Sequence, residues 1–147
     1  MFMDRLETAI KGQPQENTIQ YHFGGKYTHE MICKGCPHTF ERYEPFLAMS
    51  VQVKNKKSIL EGLNTFIQGD MLEGDNAYLC EKCDKKVDTL KRCVVKKLPR
   101  NLIVTLKRFE FDFDRMIRVK VNDYCEFPIE LNMEPYTSEG LARKEKL

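Results

Sequence analysis

Six cysteines and three histidines are the residues of this 147-residue sequence best equipped for chemistry. Four of the cysteines form two matched pairs, Cys33-Lys34-Gly35-Cys36 and Cys80-Glu81-Lys82-Cys83, each with two intervening residues. That spacing lets both thiolates of a knuckle reach one ion, and four thiolates close a tetrahedral shell with Zn–S of about 2.3 Å. Zinc suits such soft ligands and brings no redox chemistry of its own. A closed shell leaves no position for water, so the expected role is structural: one Zn2+ held by Cys33, Cys36, Cys80 and Cys83. Gly35 is expected to permit the tight backbone of the first knuckle.

The pairs are separated by positions 37–79, far more than the roughly 15–20 residues of compact zinc ribbons. Loop-closure entropy grows only logarithmically, so the longer spacer costs about 0.8 kcal/mol more. Zinc binding in small structural sites is worth roughly 10–16 kcal/mol. The long gap therefore does not argue against the metal. Buried inert thiols, or a thioredoxin-like redox pair, are the alternatives; a redox pair explains one CxxC and leaves the other idle.

Cys93 and Cys125 have apolar neighbours in sequence, Val94-Val95 and Phe127, and no base beside them, which marks both as core thiols. His22, His29 and His38 read as structural or solvated histidines. His38, two residues after Cys36, is the one placed to substitute for a cysteine in the shell, though four cysteines are already at hand.

The elements that must position these residues follow from periodicity. Phe2, Leu6, Ala9 and Ile10 share one face at helical spacing, and Gly12 and Pro14 end that helix. Asn17 to His22 reads as a connector, and Lys26 to Ile32 as a strand entering the first knuckle. Alternation from Phe40 to Val53 predicts a strand leaving it. Ser58 with Glu61 forms a capping box for a helix carrying Ile59, Leu60, Leu63, Phe66 and Ile67, which Gly69 stops. A turn at Gly74-Asp75-Asn76 precedes the second knuckle. Strands are expected over Val87 to Lys97, over Asn101 to Phe111, and around Val119 and Val121. Leu102 to Leu106 is apolar on both faces, as in a central strand covered on two sides. The tail from Arg143 to Lys146 is expected to fray. The fold class is α+β, mostly antiparallel β with few short helices.

Composition excludes several function classes. Charged residues are abundant, yet the net charge is only +2, without the basic excess of a phosphate-backbone binder. The lysine clusters at 54–57, 85–86 and 96–97 read as solvated surface. No apolar run approaches the roughly 18–20 residues needed to span a bilayer, and the start lacks the apolar stretch of a secretory signal. A reducing cytoplasmic or nuclear setting is therefore expected, with thiols as ligands rather than disulfides.

Taken in order, several segments resemble the ubiquitin-specific proteases, the papain-like cysteine deubiquitinases. They are Phe23-Gly24-Gly25 before the first knuckle and Phe46-Leu47-Ala48-Met49-Ser50-Val51 after it. Further on come Leu72-Glu73-Gly74-Asp75-Asn76-Ala77-Tyr78-Leu79 before the second knuckle and Leu98-Pro99-Arg100-Asn101-Leu102-Ile103-Val104-Thr105-Leu106-Lys107-Arg108-Phe109. Phe127-Pro128 and Leu131-Asn132-Met133 close the match, and Met133-Glu134-Pro135-Tyr136-Thr137 looks most like the very large members. The resemblance implies a thumb, palm and fingers architecture. Of it this chain would hold the zinc-ribbon fingers, roughly residues 26–97, and part of the palm, roughly residues 98–136. It also implies ubiquitin as partner, weakly held by these parts alone. The family's catalytic cysteine box and its Gly-His-Tyr box have no counterpart here, and Gly25-Lys26-Tyr27 carries lysine where the histidine would be. No residue is assigned a catalytic role, and acyl transfer by this chain alone is not expected.

Two readings follow: a catalytically silent piece of a cysteine-type deubiquitinase, or a stand-alone zinc-ribbon module that binds ubiquitin or another protein. In either case an uncovered palm surface is expected to make the isolated chain self-associate.

Overall fold

A computed structural model describes residues 2–147. The chain runs through α1 (Phe2–Ile10), α2 (Thr18–Phe23), β1 (Gly25–Cys33), β2 (Thr39–Phe46) and β3 (Met49–Gln52). It continues with α3 (Ile59–Gln68), β4 (Asp70–Leu72), β5 (Tyr78–Cys80), β6 (Lys85–Val87) and β7 (Thr89–Lys97). The last elements are β8 (Val104–Lys107), β9 (Phe109–Asp112), β10 (Ile117–Lys120) and α4 (Ser138–Glu145).

The largest sheet is antiparallel with strand order β2-β1-β7-β4. Its register places Cys33 opposite Thr89 and His29 opposite Cys93. Pro45, which has no N–H to give a ladder, sits on β2 at the sheet edge, where that loss is tolerated. Three two-stranded units complete the β structure: β3 with β8, β5 with β6, and β9 with β10. The fold is mixed α and β with mainly antiparallel pairing, as expected from sequence; the β3–β8 pair is parallel.

Helix α3 holds the core at one end of the sheet. The Ser58 hydroxyl accepts from the Glu61 N–H at 3.4 Å, while the Glu61 carboxylate reaches back to the Lys57 N–H at 2.8 Å, a capping box shifted by one residue. Gly69 ends the helix with φ of 73°, a conformation costly for any residue with a Cβ. Leu63 and Ile59 pack with Phe46, Met49, Val51, Val95 and Tyr136, and the Tyr27 ring stacks on Phe46 with centroids 4.1 Å apart.

Four expectations are corrected. The connector from Asn17 to His22 is largely helical. The long strand from Phe40 to Val53 breaks at Leu47-Ala48 into β2 and β3, which join different sheets. The stretch Leu102 to Leu106 is no central strand: β8 pairs with β3 alone and its apolar residues are half-buried. The tail is helical through Glu145, because Arg92 Nη1 donates to Glu145 at 2.9 Å and the Thr137 hydroxyl caps the Gly140 N–H at 3.1 Å.

Candidate metal centre

The two knuckles meet because each sits where a strand pair turns. The first follows β1. There the Cys33 N–H donates to the His38 carbonyl at 3.1 Å and closes the loop over Gly35 and Cys36. The Lys34 N–H ties that loop to the Asp88 carbonyl at 2.7 Å. The second is the β5–β6 hairpin, whose turn places Asp84 at φ of 54°, a left-handed position that a short polar side chain tolerates. The Asp84 N–H closes this turn onto the Cys80 carbonyl at 2.7 Å. Gly35 is not in a left-handed conformation; its role is space, since a Cβ there would lie 3.1 Å from Val87 Cγ1.

Four side chains converge: the Sγ atoms of Cys36, Cys80 and Cys83 and a ring nitrogen of His38 all lie within 4.8 Å of one another. Cys36 and Cys80 sulfurs are 3.8 Å apart. His38 Nδ1 is 3.4 Å from Cys80 Sγ and 3.1 Å from Cys83 Sγ. A tetrahedron with Zn–S near 2.3 Å and Zn–N near 2.0–2.1 Å has sulfur–sulfur edges of about 3.8 Å and sulfur–nitrogen edges of about 3.5 Å. The 3.8 Å and 3.4 Å separations match those edges and the 3.1 Å one is shorter by about 0.4 Å, so the donor set fits a zinc ion with a small adjustment of the His38 ring.

The structure brings together three of the sequence-predicted quartet. Cys36, Cys80 and Cys83 are brought together, and His38 stands in the fourth place where Cys33 was expected. Cys33 is close by, packed in the same buried cluster with Cys80 and Val87. The signal for His38 was its position two residues after Cys36, on the loop that carries the knuckle.

Burial pushes the Cys80 thiol up, but the N–H groups of Cys83 and Lys82, then His38 and Cys36, outweigh burial and bring it down to about 6. Cys83 moves the other way, to about 11, through burial and its contacts with Cys36 and Cys80. The opposite directions of Cys80 and Cys83 reflect thiols crowded close enough that charge on one disfavours charge on the next.

A second arrangement superficially resembles a catalytic one. His29 pairs across the strands with Cys93, and its Nε2 lies 2.6 Å from Glu44 Oε2. They sit at an open groove of about 440 Å³ that also touches Phe66, Gln68 and Asp70. Burial and the charges of Glu44 and Glu30 push the Cys93 thiol up to about 11, the reverse of what a nucleophile needs. Among the described residues no hydrogen bond joins Cys93 to His29. Cys93 and Cys125 are half-buried rather than core thiols.

Fold and site together define a mixed α+β protein stapled at the tips of two strand turns by a Cys/His cluster. The chain belongs to the ubiquitin carboxyl-terminal hydrolase family, whose profile matches residues 1–147. It is 47% identical over 144 residues to human ubiquitin carboxyl-terminal hydrolase 9Y, covering 98% of this chain and 6% of that protein. It is 46% identical over 143 residues to the probable ubiquitin carboxyl-terminal hydrolase FAF of Drosophila melanogaster, covering 97% of this chain and 5% of that protein. The chain therefore spans about one-twentieth of the length of these very large relatives. Among solved structures, a SAGA DUB module of Ubp8, Sgf11, Sus1 and Sgf73 bound to monoubiquitin matches with a TM-score of 0.78 and 31% identity, covering 90% of this chain and 30% of that one. A second Ubp8 module, bound to ubiquitin aldehyde, matches with a TM-score of 0.73 and 34% identity, covering 82% of this chain and 26% of that one.

Proposed function

We propose that this chain is the ubiquitin-recognising part of a cysteine-type deubiquitinase. Residues 26–97 act as its fingers, residues 98–136 as part of its palm, and the chain is catalytically silent by itself. The observation that carries the reading is the match, over 90% of the chain, to a deubiquitinating module bound to monoubiquitin. Silence rests on the chemistry of the thiols. Cys36, Cys80 and Cys83 lie in the metal cluster and Cys33 packs against it, Cys93 is held protonated by burial, and among the described residues Cys125 has only the Glu126 carbonyl, 3.9 Å away, as a hydrogen-bond partner.

One structural Zn2+ held by Cys36, His38, Cys80 and Cys83 supplies the ribbon's rigidity; the ion contributes coordination bonds and no reaction. The four side chains would bind it from two turns that the Lys34 N–H to Asp88 carbonyl bond and the Phe40–Tyr78 ring contact already hold side by side. The sheet they staple is exposed along most of β2, and the packing at its far end is the small cluster of Cys33, Cys80 and Val87 with Phe40 and Tyr78, so removing the staple should loosen that end first.

The test has two arms. Titration of ¹⁵N-labelled ubiquitin with the zinc-loaded chain should give fast-exchange shifts of weak binding. Hydrolysis of a ubiquitin–fluorophore conjugate should stay at background. Absence of any shift at millimolar concentration rejects recognition, and turnover sensitive to thiol alkylation rejects silence.

A further inference from the structure

Five zinc-type donors surround a site that can use four. Cys36, His38, Cys80 and Cys83 converge with mutual separations of at most 4.8 Å. Cys33 is left over, yet it is not an ordinary buried thiol. It is only 6% exposed and packs in the same cluster as Cys80 and Val87. Cys36 and Cys83 pack against the same small cluster, so three of the four converging groups are its neighbours there. Its own N–H is bonded to the carbonyl of His38 at 3.1 Å.

We infer that Cys33 is a reserve ligand: zinc is held by Cys36, His38, Cys80 and Cys83, and Cys33 takes the fourth position whenever His38 leaves it. The inference rests on the zinc reading above. Cys33 ends β1 and His38 ends the loop that follows it, on either side of Cys36, and the Cys33 N–H bond to the His38 carbonyl closes the backbone between them. Exchange therefore asks for side-chain rotation rather than a new fold. Either choice is chemically sound: Cys33-x-x-Cys36 has knuckle spacing, and a shell of three thiolates and one imidazole is as usual for structural zinc as a shell of four thiolates.

In the exchange the Zn–N bond to His38 breaks, a Zn–S bond to Cys33 forms, and the Cys33 thiol proton passes to solvent. The imidazole is then free. The site's formal charge falls from −1 with three thiolates to −2 with four. Lys82, next to Cys83 in sequence, has its ammonium group 5.5 Å from the centre of the Phe40 ring, which packs against the cluster. The exchange opens no coordination position, so the ribbon stays stapled throughout.

The test uses the full chain, with zinc content after gel filtration and the absorption spectrum of the Co²⁺-substituted protein, whose thiolate-to-metal band grows with each sulfur bound. The parent should carry about one zinc per chain and show the band of three thiolates. Cys33→Ser should keep both properties. His38→Ala should also keep its zinc but gain the band of four thiolates. The double variant Cys33→Ser/His38→Ala should fall at least about 100-fold in affinity against a competing chelator, matching the control Cys80→Ser. A parent chain without zinc sinks the metal reading and this inference together. A zinc-bearing parent whose His38→Ala variant loses the metal as Cys80→Ser does, or keeps a three-thiolate band, sinks the inference alone. A parent that already shows four thiolates, with Cys33→Ser falling to three, also sinks it, because Cys33 would then be a resident ligand.

Discussion

At the scale of single residues, the thiols divide by electrostatics more than by position in the chain. Cys93 lies across the strands from His29, and burial with two nearby carboxylates pushes its thiol from an ordinary value near 9 to about 11. Tyr27, on the same face, is pushed from 10 to about 12, mainly by burial and then by Cys93 and Glu44. A raised value means the folded state holds its proton more tightly than the unfolded chain. That contribution is fully present below the unfolded value and is lost as pH rises toward the folded one. The urea midpoint should therefore fall from pH 9 upward, with Cys93 spending its share by about pH 11 and Tyr27 by about pH 12. Cys93→Val should flatten the pH 9–11 part of the profile; an unchanged slope in that variant would remove Cys93 as its source. Three of the four converging side chains could be read from CxxC spacing. The fourth could not, because Cys33 and His38 both lie within three residues of Cys36. Which of the two joins the cluster depends on how the chain leaves β1, where Cys33 is still paired with Thr89 while His38 is carried on the loop that follows.

At the scale of elements, local signals were readable where the sequence carries its own punctuation. Ser58, Glu61 and Gly69 delimit α3 by capping chemistry that needs no tertiary partner, and the helix lies where they put it. Alternation alone was a poorer guide. Phe40 to Val53 is extended in character, with alternation at Met49 to Val53 and a run of four apolar residues at Phe46 to Met49, yet the chain changes sheets at Leu47-Ala48, where β3 goes on to pair with the distant β8. The C-terminal helix was illegible for the same reason. Its anchor is Arg92, which is 11% exposed and donates through Nε to Glu30 at 2.6 Å and through Nη1 to Glu145 at 2.9 Å. Glu30 is buried too, so Arg92→Met leaves a carboxylate stranded in the interface, an effect of about 3–5 kcal/mol. Glu145 is 59% exposed, and Glu145→Ala should cost no more than about 1 kcal/mol. Chemical denaturation of the two variants checks the asymmetry; equal losses would mean that docking of α4, rather than the buried pair, dominates.

At the scale of the whole molecule, the β9–β10 hairpin is built inside out. Glu110 and Asp112 are half-buried, with Glu110 bonded to Lys54 at 2.8 Å, while Phe109, Phe111 and Phe113 on the alternate positions face solvent. Arg108 holds the hairpin's base through the carbonyls of Val121 and Asp123, so this orientation is fixed by polar bonds on the inner side. Tyr124, Phe127 and Ile129 are exposed on the segment that follows the hairpin. Burying three phenylalanines is worth about 1.5–3 kcal/mol each, roughly 5–9 kcal/mol in all. Bringing two chains together costs an estimated 4–15 kcal/mol in lost freedom. The balance favours weak association, not a tight dimer. Light scattering should show the average mass rising above 17.3 kDa with concentration, without saturating at a discrete dimer at low concentration. Replacing Phe109, Phe111 and Phe113 together by serine should return the chain to a monomer. It should do so without unfolding it, because none of the three is buried in the core. A parent chain that stays monomeric at high concentration, or a triple variant that associates as before, would show that these aromatics do not drive contact between copies.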